Sequence, residues 1–339
     1  MKAFSIARTI RDAIRAINPR DIQTQVQRPI AILVTGRGGS GRATLVRALF
    51  GGPHRFVTIA DAGPRYHGEV PTLAFLTVDA REPSWDVERT AAGQLAGLGH
   101  PLVVAATHGD LLPNPSQVWP ALRAHFPHQP TEQMAAIDPR RVLDTRMALV
   151  PPALAAIPDQ RLALGRHFPT LRAGVAETLI REAAWTNAQL AMASTLPSLI
   201  PVVGGFIGGG ADLLMLTQTQ AALVLRIAAM HEREISRPLD VMLELAPVVG
   251  GGFAWRTMAR LAAGALPLAA GVVPKILIAY VGTYVTGEAA RYYYQHGRPA
   301  PGDVLAAIKQ RAVASYQRAF RSTDAGTPQP LPAPTDTLA

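Results

Sequence analysis

Residues 29–50 read PIAILVTGRGGSGRATLVRALF, and this stretch decides the fold. Its first part, residues 29–35, is almost wholly apolar, which is typical of a strand buried in a parallel sheet. A glycine-rich segment follows at residues 36–41, and residues 43–50 have the composition of a helix that ends at Gly51-Gly52-Pro53. A strand, a glycine-rich loop and a helix in this order predict a turn that presents backbone N–H groups and the positive end of a helix to a phosphate.

The loop departs from the phosphate-binding pattern G-x-x-x-x-G-K-[ST] at the two positions that carry side-chain chemistry. Gly36 and Gly41 have the required spacing, but Arg42 stands at the Lys position and Ala43 at the position of the Mg²⁺-binding hydroxyl. Thr44 comes one residue too late to supply that hydroxyl. The sequence therefore predicts a backbone cradle without its lysine contact and metal ligand. The alternative is that the glycines only form a tight turn between strand and helix.

Further apolar runs extend this pattern along the first half of the chain. Because strands alternate with helices, the sequence predicts an α/β domain with a parallel sheet. The expected strands are at residues 56–60, 73–78, 101–106 and 147–150, with a helix at residues 86–97.

Beyond about residue 180 the sequence favours helices only, because long apolar segments replace the alternation of strands and helices. The segments at residues 189–216 and 261–287 are hydrophobic enough to suggest a hairpin that is buried in a bundle or associated with a membrane. The predicted domains are an amphipathic N-terminal helix within residues 1–24, an α/β domain at 25–155, a linker helix region at 156–180, a C-terminal helical domain at 181–321, and a disordered tail at 322–339.

Composition excludes several classes of site. The chain of 339 residues has no cysteine, so it cannot hold a disulfide framework or a thiolate zinc site, nor use a cysteine nucleophile. Its nine histidines show no metal-ligand spacing, and we expect no metal site. The net charge is +9, but the arginines are scattered rather than clustered, which argues against a nucleic-acid partner.

Two later segments resemble the bacterial Era/Der-type GTPases. LAFLTVDAREPSWD, residues 73–86, is similar to a strand and turn of that family, and VVAATHGDLL, residues 103–112, resembles the strand that carries its guanine-specificity motif N-K-x-D. Here the motif reads Thr107-His108-Gly109-Asp110, and the resemblance implies that Asp110 would accept hydrogen bonds from guanine. It also implies GDP or GTP as the ligand. The candidate binding residues are Gly36, Gly38, Gly39, Ser40, Gly41, Arg42, Thr44, Thr107 and Asp110.

The parts of a GTPase that cleave and sense the γ-phosphate are missing from this pattern. About twenty residues separate the predicted helix after the loop from Leu73, too few for a full switch region, an added strand and a D-x-x-G turn. Asp61-Ala62-Gly63 is a candidate remnant of that turn, with the wrong spacing. We therefore predict a GTPase-like domain with no catalytic residues. If the protein is an enzyme, the resemblance implies that it hydrolyses GTP.

The second half resembles the YcjF-type helical domain of unknown function, through residues 196–232 and 270–297. That family is commonly predicted to lie in the membrane, so the resemblance implies a GTPase-like scaffold or weak nucleotide sensor at the cytoplasmic face of the membrane, with the cytoplasm as the alternative location. The implied partners are membrane lipid and a second GTPase, in a homo- or heterodimer. Two other functions remain open: a soluble protein-interaction module without nucleotide, and an active GTPase with atypical motifs.

Overall fold

The computed structural model describes residues 12, 14–63, 70–193, 210–245 and 272–324. These residues form two compact units. One holds residues 25–175, and the other holds the described parts of residues 1–24 and 176–331.

The first unit is built on a parallel sheet of five strands. They are β1 (Ile32–Gly36), β2 (Val57–Asp61), β3 (Leu73–Asp79), β4 (Leu102–Thr107) and β5 (Met134–Ala136). Their order across the sheet is β2-β1-β3-β4-β5, and every pair is parallel. The sequence prediction of an α/β domain with a parallel sheet is confirmed.

Helices and 3-10 turns connect the strands of this unit. The predicted helix at residues 86–97 is confirmed, and so is the glycine that ends the helix after the loop, since Gly51 has a left-handed φ of +84°. Helices α2 (Arg42–Phe50), α3 (Asp86–Gly97) and α4 (Val118–His125) lie between strands, and α5 (Val142–Ala156) and α6 (Arg161–His167) follow β5. Helix α1 (Pro19–Gln27) begins before residue 25, where this unit starts.

The middle of the sheet forms the core. All residues of β1, β3 and β4 are buried, whereas β2, at the edge of the sheet, is partly exposed. The side chains of Leu33, Leu76 and Val104 pack with Trp85 and Phe126 in one hydrophobic cluster. Continuous burial is what the apolar runs of these strands require, because a parallel strand is covered on both faces.

One predicted strand is wrong. Residues 147–150 lie within α5, where Leu149 and Val150 are buried. A short apolar run is found both in buried strands and in single buried turns of a helix, so the apolar character of residues 147–150 could not decide between the two. The fifth strand is Met134–Ala136 instead.

The strand order reverses direction next to the glycine-rich loop. From β1 the chain runs to β2 on one side, and then to β3 on the other side of β1. Open α/β sheets bind ligands at such a reversal, outside the carboxyl ends of the strands. The loop that follows β1 is therefore in the position where this architecture binds ligands.

The second unit is helical. Its helices are α7 (Arg172–Ala193), α8 (Gly210–Met230), α9 (Pro238–Leu245), α10 (Val272–His296) and α11 (Gly302–Asp324). Close packing joins three of them, since a Cβ on Gly287 of α10 would lie 2.5 Å from Ile180 Cγ1 and 2.9 Å from Leu223 Cδ2.

Several sequence predictions fall on residues outside the described part of the chain. These are most of the amphipathic N-terminal helix, large parts of the two hydrophobic segments (residues 194–209 and 261–271), and most of the tail, residues 325–339. Within the described residues, no helix combines the length and the apolar character needed to cross a membrane.

Candidate functional site

The glycine-rich loop, residues 36–41, joins β1 to α2 in a conformation that its glycines permit. Gly39 and Gly41 have left-handed φ angles of +84° and +85°, which favour glycine. Gly36 is needed for a different reason: a Cβ there would lie 2.2 Å from Thr77 Oγ1 and 2.5 Å from the Thr77 carbonyl oxygen on β3. The close approach of two neighbouring strands thus fixes the start of the loop.

Backbone donors gather where the loop meets α2. Among the described residues, none accepts a hydrogen bond from the backbone N–H groups of Gly38, Gly39, Arg42 and Ala43. The first N–H groups of a helix have no partner within the helix, and together with the helix dipole they attract an anion. The loop can therefore offer N–H donors to a phosphate.

Three buried hydroxyl groups hold the loop against the sheet. Thr77 Oγ1 donates to the Thr35 carbonyl oxygen at 3.1 Å and lies 2.6 Å from Ser40 Oγ. Since the single proton of Thr77 is used, Ser40 must be the donor in that second contact. Thr107 Oγ1 lies 3.0 Å from the Ser40 carbonyl oxygen and 3.2 Å from that of Val78. Ser40 and Thr107, both candidate binding residues, therefore hold the shape of the loop.

Arg42 is directed to the carboxyl end of β2. Its Nη1 donates to the Ala60 carbonyl oxygen at 2.5 Å, and its Nη2 lies 2.5 Å from Asp61 Oδ1. The Arg42 side chain is 16% exposed and that of Asp61 is 81% exposed, so the arginine is the better-enclosed partner. The cation at the position of the missing lysine is thus engaged by β2.

Asp79, the last residue of β3, is held by Arg81 and His108. Arg81 donates to Asp79 Oδ1 through Nε at 3.0 Å and to Oδ2 through Nη2 at 2.7 Å, and His108 Nδ1 lies 3.1 Å from the same Oδ2. Burial alone would raise the pKa of Asp79, but the hydrogen bonds from Arg81 and the charge of His108 outweigh it and hold the pKa below its ordinary value. Asp79 is therefore an anion neutralised by its own chain.

Asp110, the candidate guanine acceptor, is paired with an arginine that sequence reasoning missed. Arg140 Nη2 lies 2.5 Å from Asp110 Oδ2, and Arg140 Nε donates to Asp138 Oδ1 at 3.0 Å. The hydrogen bond from Arg140 lowers the pKa of Asp138 against the opposing effect of burial. Arg140 follows β5 by four residues, and its pairing across the β4–β5 edge leaves no local signal in the sequence.

Thr44 stands apart from these contacts. It is half-buried in the first turn of α2, and its hydroxyl group has no hydrogen bond to any other described residue. Within the described ranges, no group of three His, Asp or Glu side chains is arranged to hold a metal ion.

Arg37, the second residue of the loop, was also missed. Its Nε lies 3.2 Å from Glu88 Oε1 and its Nη1 lies 3.6 Å from Glu82 Oε2. Glu88 is 1% exposed, and its Oε2 has no hydrogen-bond partner among the described residues. Glu82 also lines a cavity of about 220 Å³ together with Trp85 and His125. Arg37 therefore connects the loop to the start of α3.

Neither a scan against protein-family models nor a search of curated proteins finds a match for this chain.

Proposed function

We propose that this chain is a catalytically inactive GTPase-like protein whose glycine-rich loop binds the phosphates of GDP or GTP without a metal ion, as a nucleotide sensor or scaffold. One observation carries the proposal: free backbone N–H groups of the loop and α2 lie beside the strand-order reversal, while Arg42 is paired with Asp61. The first feature favours an anion, and the second engages a carboxylate that a metal ion would need.

The side chains near the loop do not suit Mg²⁺. A P-loop GTPase holds this ion through a Ser or Thr hydroxyl after the lysine and an Asp carboxylate. Ala43 offers no hydroxyl group at that position, and Asp61, the candidate remnant of the D-x-x-G turn, is neutralised by the Arg42 guanidinium at 2.5 Å. In this proposal the backbone N–H groups of the loop and of the first turn of α2 hold the phosphates without a metal ion.

Hydrolysis would also need a group that orders the attacking water. The carboxylates at the ends of β3 and β4 are engaged, Asp79 by Arg81 and His108, and Asp110 by Arg140. The hydrogen bonds from Arg81 and the charge of His108 hold the pKa of Asp79 below its ordinary value, which makes that carboxylate a poor general base. We therefore propose nucleotide binding without turnover.

The pairing of Asp110 with Arg140 favours a second candidate, a protein-interaction module that binds no nucleotide. An aspartate already bound at Oδ2 is a weaker acceptor for the two guanine donors. In both candidates the helical unit supplies the partner surface, for membrane lipid at the cytoplasmic face of the membrane or for a second GTPase.

The loop is tested with two substitutions of one glycine. Gly39→Asp places a carboxylate among the backbone donors, whereas Gly39→Asn has nearly the same shape and no charge; both residues tolerate the left-handed φ of +84°. We expect isothermal titration to show GDP binding in wild type and the Asn variant, and binding about tenfold weaker or absent in the Asp variant.

The metal is tested in the same titration, with Mg²⁺ and then with EDTA. Equal affinity for GDP in both buffers, together with no release of phosphate from GTP, supports the proposal. Affinity that requires Mg²⁺, or steady turnover of GTP, contradicts it. No binding of either nucleotide by any of the three proteins leaves the interaction module as the function.

A further inference from the structure

We propose that the outer edge of β2 pairs with the β2 edge of a second copy of this chain, antiparallel and about a two-fold axis at Ile59. The sheets of the two copies then continue into each other, since β2 is the edge strand of its sheet. This inference goes beyond the proposed function, because it places a contact between copies in the α/β unit and does not depend on nucleotide.

The register of β2 with β1 determines which backbone groups face outward. Ile32 N–H donates to the Phe56 carbonyl oxygen at 2.8 Å, and Ala62 N–H donates to the Gly36 carbonyl oxygen at 3.0 Å. In a parallel pair with this register, alternate residues of the edge strand turn both backbone groups to the neighbour, and the residues between them turn both groups away. The residues of β2 that face away from β1 are Val57, Ile59 and Asp61.

Most of these outward groups have no partner. Among the residues that the structure describes, none bonds to the N–H groups of Ile59 and Asp61 or to the carbonyl oxygens of Val57 and Ile59. The Val57 N–H is used within the chain, since it donates to the His54 carbonyl oxygen at 2.9 Å. An edge strand with free donors and acceptors is a template for pairing with another strand.

The free groups of β2 are complementary to those of a second, antiparallel β2. In a pair centred on Ile59, the Ile59 N–H of each copy donates to the Ile59 carbonyl oxygen of the other. The Asp61 N–H of each copy donates to the Val57 carbonyl oxygen of the other, and the occupied Val57 N–H is not needed for this ladder. A surface that pairs with itself about a two-fold axis gives an assembly that closes at two copies.

The side chains of β2 also suit a second copy. Val57, Thr58 and Ile59 are β-branched, and Ile59 is 46% exposed, so the pair buries apolar surface at its centre. Arg55 and Asp61 are exposed at opposite ends of this segment, and an antiparallel copy brings the cation of each chain towards the carboxylate of the other. β2 contains neither lysine nor proline, which many edge strands use to prevent pairing.

The dimer is tested by analytical ultracentrifugation of the full chain over a range of concentrations. One pair of short strands buries less than the about 1,200 Å² of a stable interface, so we expect a reversible dimer with a Kd on the order of 10 μM. Ile59→Lys places like charges directly opposite each other and should weaken the dimer about tenfold or more. Leu98→Lys is the matched control, since Leu98 is an aliphatic residue that is 65% exposed after α3, and it should change the Kd less than about twofold.

The register is tested with introduced cysteines, because the chain has none of its own. Ile59→Cys places the two thiols opposite each other, within the Cα separation of about 4.4–6.8 Å that a disulfide spans. Thr58→Cys is the matched control: Thr58 is exposed on the same strand, but its two Cα atoms are about 8 Å apart in this register, too far for a disulfide. In glutathione disulfide, non-reducing gels should show the Ile59→Cys dimer forming about tenfold faster than the Thr58→Cys dimer.

Several results would contradict the dimer. A chain that stays monomeric up to about 200 μM, or a dimer that Ile59→Lys leaves intact, overturns the inference. Equal cross-linking at residues 58 and 59 overturns the register, and assembly beyond two copies overturns the two-fold arrangement. The GDP titrations are independent of these measurements, so a failure of nucleotide binding leaves the dimer standing, and a monomeric chain leaves the proposed function standing.

Discussion

Two glycines of the loop have opposite structural requirements although they stand two residues apart. At Gly36 the neighbouring strand is so close that a Cβ would overlap Thr77, whereas at Gly38 a Cβ would have no heavy atom within 4 Å. The spacing of glycines in the sequence cannot separate these cases. The difference arises from β1 and β3 lying side by side, with Gly36 opposite Thr77.

A pair of alanine variants tests this difference. Gly36→Ala should lower the free energy of unfolding by about 3 kcal/mol or prevent folding, because the added methyl group must displace backbone of β3. Gly38→Ala should change it by less than about 1 kcal/mol. Urea denaturation followed by circular dichroism measures both, and equal stability of the two variants would show that the strands do not approach at Gly36.

Only some residues of the candidate site could be predicted from the sequence. Gly36 and Gly41 identified the loop because a turn from strand to helix has a fixed length. The directions of Arg42 and Arg37 could not be predicted, since they depend on Asp61 at the end of β2 and on Glu88 in α3, which only the folded sheet brings near. Arg140 was missed for the same reason.

Among the strands, the apolar composition of the sequence predicted the long ones but not the short strand β5. Strands β1, β3 and β4 have continuous apolar runs; β3 and β4 were found within one residue of their observed ends, and β1 begins three residues later than predicted. The strand Met134–Ala136 has three residues and no β-branched side chain, so it carries no strand signal of its own. It forms because its backbone pairs with Val104, Ala105 and Ala106 of β4.

In the helical unit, Gly287 sets the distance at which α10 packs. Gly287→Ala should destabilise this unit by about 1–3 kcal/mol, since its Cβ would lie 2.5 Å from Ile180 Cγ1. Gly302→Ala, at the start of α11, is the matched control, because its Cβ would contact nothing, and its effect should stay within about 0.5 kcal/mol. Thermal unfolding followed by circular dichroism gives both values, and a neutral Gly287→Ala would contradict the close packing.

At the scale of the whole molecule, two histidines make the α/β unit sensitive to acid. His54 packs against the ring of Phe168 and His167 against that of Phe56, with centroid distances of 4.8 Å in both pairs. Burial is the main cause that lowers the pKa of each histidine below its ordinary value of 6.5, and the charge of Arg55 adds to it. The neutral forms are therefore the ones that the fold stabilises.

The sign of the pH effect follows from these lowered pKa values. Below about pH 6.5 the unfolded chain binds more protons at His54 and His167 than the folded chain, so stability is complete above that pH and is lost as the pH falls. Asp79 and Asp138 contribute only at lower pH, since their ordinary value is 3.8 and their folded pKa values are lower still. We expect urea midpoints to fall between pH 7 and pH 5, and the double variant His54→Gln/His167→Gln to lose most of that slope. An unchanged slope would place the titrating groups elsewhere.

The paired carboxylates at the ends of the strands have a kinetic consequence. Asp61, Asp79 and Asp110 are each paired with an arginine, so these carboxylates add little net charge to this rim of the sheet, although the chain as a whole has a net charge of +9. Such a rim projects little long-range field, and nucleotides should meet it by undirected diffusion rather than by electrostatic steering. Association rates should then vary little with ionic strength.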